Sequence, residues 1–155
     1  MIEPGHRSLR RSFGDALRGV WDAVKSERNM RIHLAACGYV LFFAWRLELS
    51  RGEVACLLLA IGMVLGAELF NTSVEKLCDF TEKHRNPHIR VVKDMAAGAV
   101  FLCAVFAALV GIVIFARPEF WQLLYEMAAT PLYLVLLLIS AVAALVFINV
   151  NKLRK

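Results

Sequence analysis

Glu68, Asn71, Glu75 and Asp79 stand three, four and four residues apart, so a helix would gather them on one face, and that helix is apolar from Val54 to Ala67. Carboxylates are costly there. Insertion scales put one ionisable group at the centre of a membrane helix at roughly 2.5 to 3.5 kcal/mol, and such groups are retained for function or pairing. The plainer reading is an interhelical hydrogen bond or a solvated helix end, which suits one carboxylate better than a whole face. Glu27 lies just before another apolar stretch, and Lys93 with Asp94 opens a third. Carboxylate and amide oxygens suit a hard cation such as Mg2+, and a lysine suits phosphate oxygens. Together these types point to phosphoryl transfer. The sequence has no GxxxxGK[ST] loop and no glycine-rich, HRD or DFG kinase motif, so neither soluble scaffold for that chemistry applies.

The elements that must position these groups lie in a bilayer. A chain of 155 residues that is 59% hydrophobic, with mean hydropathy +0.61, is too apolar for a small soluble core. The net charge of +5 does not imply nucleic acid, because the basic residues flank apolar segments and form no aromatic-interleaved face. Cys37, Cys56, Cys78 and Cys103 contain no CxxC pair and read as small buried hydrophobes. The N-terminal region lacks the short apolar run and small-residue cleavage site of a removable signal peptide.

Four spans are predicted, at about 32–49, 53–77, 94–116 and 131–148, each near the roughly 20 residues that a bilayer core requires. The first is the weakest, since Arg46 and Glu48 must snorkel. A helical bundle follows, because open sheet edges cannot be satisfied in lipid. Residues 1–31 carry seven Lys and Arg, Lys76 to Lys93 five and the tail after Asn151 three, against Arg46, Arg51 and Arg117 on the other side. Fifteen against three predicts that both termini and the acidic face are cytoplasmic. Ahead of the spans, Leu9, Phe13, Leu17, Val20, Trp21 and Val24 recur at helical spacing opposite Arg10, Arg11, Asp15, Arg18, Asp22 and Lys25. That pattern fits a helix in the headgroup layer, with packing on a partner helix as the alternative. Gly62, Gly66 and the Ala96–Ala99 stretch give slender faces for close helix packing.

Three segments then carry a resemblance: SERNMRIH from Ser26 to His33, ELFNTSVE from Glu68 to Glu75, and KDMAAGAV from Lys93 to Val100. Their ExxNTxxExxxD and KDxAAGAV patterns resemble the prokaryotic diacylglycerol kinase family of small membrane lipid kinases over residues 8 to 116, and the ERNMRIHL stretch looks more like its undecaprenol kinase branch. The resemblance implies an all-α membrane protein with an interfacial N-terminal helix and a three-span kinase unit, assembled as a homotrimer with active sites between subunits near the cytoplasmic surface. It assigns Glu68 as general base, Glu27 and Glu75 to Mg2+, Asn71 as support, and Asp79, Lys93 and Asp94 to ATP. The loop of His84, Arg85 and Asn86 falls where the family contacts the nucleotide.

Two features depart from the family. Asn86-Pro87 stands where it commonly has His-Pro, and its early cytoplasmic arginine has several candidates here in Arg7, Arg10 and Arg11. The segment 117–155 lies beyond the kinase unit as an additional span and basic tail, expected to be dispensable for chemistry. The function implied is ATP- and Mg2+-dependent phosphorylation of a lipid alcohol, undecaprenol first and diacylglycerol as the alternative, at the bacterial inner membrane. Two other classes compete: a small cation transporter through Glu68, Glu75 and Asp94, and a non-catalytic assembly subunit whose acids pair with Lys93 and Arg90.

Overall fold

Four of the six helices begin where the sequence supplies a cap or a proline. The computed structural model describes residues 9–82, 84 and 86–153, with side chains up to residue 150. These form α1 (Leu9–Ser26), α2 (Arg28–Arg46), α3 (Arg51–Thr81), α4 (Pro87–Phe115), α5 (Pro118–Ala129) and α6 (Pro131–Leu153). Three of the six begin with proline, whose missing N–H forfeits nothing at a first helical position. The start of α3 is a capping box, in which Ser50 accepts from the Glu53 N–H at 3.3 Å and Glu53 Oε2 accepts from the Ser50 N–H at 2.9 Å. Between α2 and α3, Glu48 adopts φ 49°, the left-handed conformation that reverses the chain.

The protein is an all-α membrane protein. Helices α3, α4 and α6 are long and apolar enough to cross a bilayer. The first of the four expected spans is a helix, α2, but it does not reach that apolarity. Arg28, Arg31, His33 and Arg46 explain the difference. Even so, α2 runs antiparallel along α3: Met30 packs with Leu65 and Leu69 at one end, and Ala44 packs with Leu57 and Ile114 at the other. Helix α5 is an element the sequence reading did not assign. It is a short amphipathic segment with Leu123 and Met127 buried and Trp121 and Tyr125 exposed. The four cysteines are free, but only Cys78 is buried within the chain; Cys37 and Cys103 are half-buried and Cys56 is exposed, because their helices turn those faces outward.

Leu9, Phe13, Leu17 and Trp21 form an outward-facing apolar stripe on α1, 58–79% exposed, while Ala23 and Val24 at its end are buried against Met30. A stripe left uncovered within the chain suits the headgroup layer. The slender faces behave differently from expectation. A Cβ added at Gly62, Gly66 or Gly98 would meet nothing within 4 Å, so these glycines serve no close contact inside the chain. Gly62, Gly66, Ala67, Phe70, Ala96 and Ala99 instead border an open groove of about 420 Å³.

Candidate active site

The C-terminal half of α3 sorts its polar face by depth. Glu68 is 2% exposed, Thr72 and Asn71 are also buried, Glu75 is half-buried and Asp79 is exposed. The Thr72 hydroxyl donates to the Glu68 backbone carbonyl at 3.0 Å, which satisfies it within the helix. Asn71 Nδ2 donates to Glu75 Oε1 at 3.1 Å, and this contact fixes the amide's orientation. Two buried acceptors remain without a hydrogen-bond partner among the described residues, Glu68 Oε2 and Asn71 Oδ1. A buried oxygen left in that condition carries a desolvation cost of about 1 to 3 kcal/mol, more when charged.

Both residues line one cavity of about 310 Å³. Asn29, Ile32 and His33 of α2 form one wall, and Ala97, Val100, Phe101 and Ala104 of α4 form the other. The small side chains of α4 keep that space open beside the carboxylate. Glu27 occupies the break between α1 and α2, in extended backbone with φ −100° and ψ 124°. Its carboxylate and that of Glu75 are the charges close enough to act on Glu68. Glu27 from a helix break and Glu75 from the same helix face thus lie near Glu68.

On the water side, Lys93 of α4 pairs with Asp79 of α3 and also feels the charge of Glu75. This joins Lys93 to the acidic face. Asp94 is its neighbour in sequence but not in the cluster, being exposed and 3.7 Å from Arg90 on its own helix. Asn86 is the N-cap of α4, where its Oδ1 accepts from the His88 N–H at 3.0 Å. Its capping role accounts for Asn86-Pro87 without reference to a ligand. His84 is exposed beside Glu82, with Nδ1 3.4 Å from Oε1. Arg85 and Arg7 lie outside the described residues.

The sequence reading missed Thr72, Asn29, His33 and Arg31 as parts of this region. Thr72 was legible in principle, because it stands four residues after Glu68. Arg31 was not: a lone arginine at a helix start reads as a topogenic charge, yet it is 3% exposed.

No group of three or more His, Cys, Asp and Glu side chains among the described residues forms a closed metal site. Glu27 and Glu75 nevertheless fit Mg2+, which usually takes one or two carboxylates and completes its shell with water and substrate phosphates.

Known proteins resemble this chain over the same helices. Undecaprenol kinase from Bacillus subtilis is 41% identical over 106 residues, covering 68% of this chain and 85% of that protein. A diacylglycerol kinase from Synechocystis is 39% identical over 101 residues, covering 64% of this chain and 58% of that protein. Another from Pseudomonas aeruginosa is 30% identical over 101 residues, covering 64% of this chain and 81% of that one. No solved structure matches the chain. The pattern of the prokaryotic diacylglycerol kinase family matches residues 14–115, from within α1 to the end of α4, and the chain belongs to that family of lipid kinases.

Proposed function

We propose that this lipid kinase uses ATP and Mg2+ to phosphorylate the terminal hydroxyl of undecaprenol at the cytoplasmic face of the bacterial inner membrane. The observation that carries the reading is the partnerless Oε2 of Glu68, buried on the wall of a cavity with an apolar lining. A lipid alcohol brings what this oxygen lacks, a hydroxyl donor attached to an apolar chain. Glu68 lies about 10 Å deeper than Glu75, at 1.5 Å per residue over seven residues. That depth separates a membrane-borne acceptor from a nucleotide that arrives from water.

The alcohol donates its proton to Glu68 as its oxygen attacks the γ-phosphorus of ATP, and the bond to the bridging oxygen breaks to release ADP. A primary alcohol is far too weak an acid to ionise beforehand, so Glu68 assists as the proton leaves in the transition state. Lys93, held by Asp79, offsets charge on the phosphoryl oxygens. Glu27 and Glu75 would hold Mg2+, which supplies further neutralisation of the phosphates when bound. Asn71, oriented by Glu75, supports the acidic site beside Glu68. Positioning and electrostatics provide most of the acceleration in such transfers.

The similarity to an undecaprenol kinase favours undecaprenol, and the two relatives named diacylglycerol kinase make diacylglycerol the second reading. The open groove beside Gly62, Gly66 and Phe70 favours assembly into a homotrimer, since membrane helices associate through such small-residue faces. A cation path is disfavoured because α3 carries no Asp, Glu, Lys, Arg or His between Ala55 and Ala67. The test is a phosphorylation assay on the full chain in lipid, comparing undecaprenol with diacylglycerol, ATP with GTP, and Mg2+ with chelator. Mg2+-dependent turnover of undecaprenol is expected. Turnover of diacylglycerol alone overturns the substrate, and turnover of neither overturns the kinase mechanism.

A further inference from the structure

Arg31 and Glu68 are the charged side chains that the fold buries among the described residues. Arg31 meets no carboxylate there. Its Nη1 donates to the backbone carbonyls of Val24 at 2.9 Å and Lys25 at 3.0 Å, and its Nε donates to the carbonyl of Ile148 at 3.1 Å. The first two acceptors belong to the last turn of α1, where carbonyls lack partners within the helix and where the helix dipole favours a cation. The third belongs to α6. One guanidinium therefore clamps three helices at the point where the chain breaks to present Glu27.

The contact with α6 is part of a seam. The hydroxyls of Tyr39 and Ser140 lie 3.2 Å apart, eight residues along α2 from Arg31 and eight residues along α6 from Ile148. Equal offsets in opposite directions mean that α6 lies antiparallel on α2 with a continuous register, about 12 Å long at 1.5 Å per residue. The family match ends at residue 115, so this seam joins the kinase unit to a helix outside it.

We propose that α6 is a working part of the active site and that Arg31 is the positioning residue through which it acts. By tying α6 to the end of α1, Arg31 holds the α1–α2 break at the angle that directs the Glu27 carboxylate toward Glu68. The expectation that the C-terminal helix is dispensable for chemistry gives way to a helix that supports a metal-binding carboxylate. This proposal rests on the kinase reading and on the role it gives Glu27.

The test uses the full chain in lipid, with Mn2+–ATP affinity measured by electron paramagnetic resonance alongside kcat and the KM for undecaprenol. Ser140→Leu removes the hydroxyl contact with Tyr39 and should loosen α6 from α2 without touching the cavity beside Glu68. Arg31→Lys keeps the charge but has no second nitrogen to reach Ile148. Both should weaken Mn2+–ATP binding by roughly 10-fold, the lower end for groups that orient a metal ligand, while the lipid KM stays in place. In a Glu27→Gln background, Ser140→Leu should add nothing, because the two changes act through one group. Unchanged Mn2+–ATP affinity in folded Ser140→Leu overturns the proposal, as does an equal loss with and without Glu27. Native protein that turns over neither lipid overturns the kinase reading and this proposal together, whereas native turnover with an indifferent Ser140→Leu overturns this proposal alone.

Discussion

Helix α3 carries one glutamate in its first turn and another just past its midpoint, and the two have opposite fates. Glu53, at the end away from the site, is fully engaged: it closes the capping box with Ser50, accepting from the Ser50 hydroxyl at 2.7 Å, and pairs with Arg117. Arg117 in turn donates through Nε to the Ile114 carbonyl at 2.6 Å, so one ion pair ties the start of α3 to the end of α4. Glu68 has a buried carboxylate oxygen with no partner beside an open cavity. The same side chain stabilises a helix terminus in one place and is left available for a ligand in the other. An unsatisfied buried acceptor weighs against the fold alone, so its presence argues for function where the satisfied one argues for structure.

The sharpest break in that contrast should come from Glu68→Gln, which preserves size and removes the proposed base. We expect turnover to fall by at least roughly 100-fold, the lower end for general-base contributions, with ATP binding retained. Isothermal binding beside a turnover assay checks both halves. Loss of ATP binding with Glu68→Gln, and its retention with Glu75→Gln, would reverse the assigned roles.

Glu75→Gln should weaken Mg2+–ATP binding by roughly 10-fold, as expected for loss of a metal-binding carboxylate and its hydrogen-bonded neighbour. It also removes the charge that orients the Asn71 amide, so kcat should fall with it. Glu27→Gln should raise the Mg2+ requirement similarly while leaving Asn71 in place. A Mg2+ titration of both variants separates them, and equal kcat values would mean that the Asn71 contact is idle.

At the opposite end, the effects should be confined to stability. Ser50→Ala removes the cap of α3 and should cost about 1 kcal/mol, the usual value for an N-cap, with turnover unchanged in the folded protein. Thermal unfolding beside the lipid assay decides this. A loss of activity at constant stability would show that the two ends of α3 communicate, and the contrast drawn from Glu53 and Glu68 would fail. Asn86→Ala should behave in the same way for α4, with a smaller effect because its cap is a single hydrogen bond and not a reciprocal box.

Much of this was legible in one dimension. Spacings of three and four put Glu68, Asn71, Glu75 and Asp79 on one face. Hydropathy located α3, α4 and α6 because a long apolar run has no other stable form in lipid. Local pattern marked α2 as the weakest span, but could not show that packing along α3 keeps it in the bundle. Nor did it reveal α5, whose short amphipathic run lacks the length of a span.

The sequence by itself determined the chemical types available and the helices that carry them, because covalent spacing and helical period fix which side chains share a face. The tertiary structure decided the condition of each group. Lys93 joins Asp79 across two helices while its neighbour Asp94 turns to Arg90, and periodicity makes no distinction between adjacent residues of that kind. Burial of Glu68 without a partner, and the reach of Arg31 from α2 to a carbonyl 117 residues away, depend on how helices lie against one another. Hydrogen bonding and desolvation act through space, at distances that the order of residues along the chain does not encode.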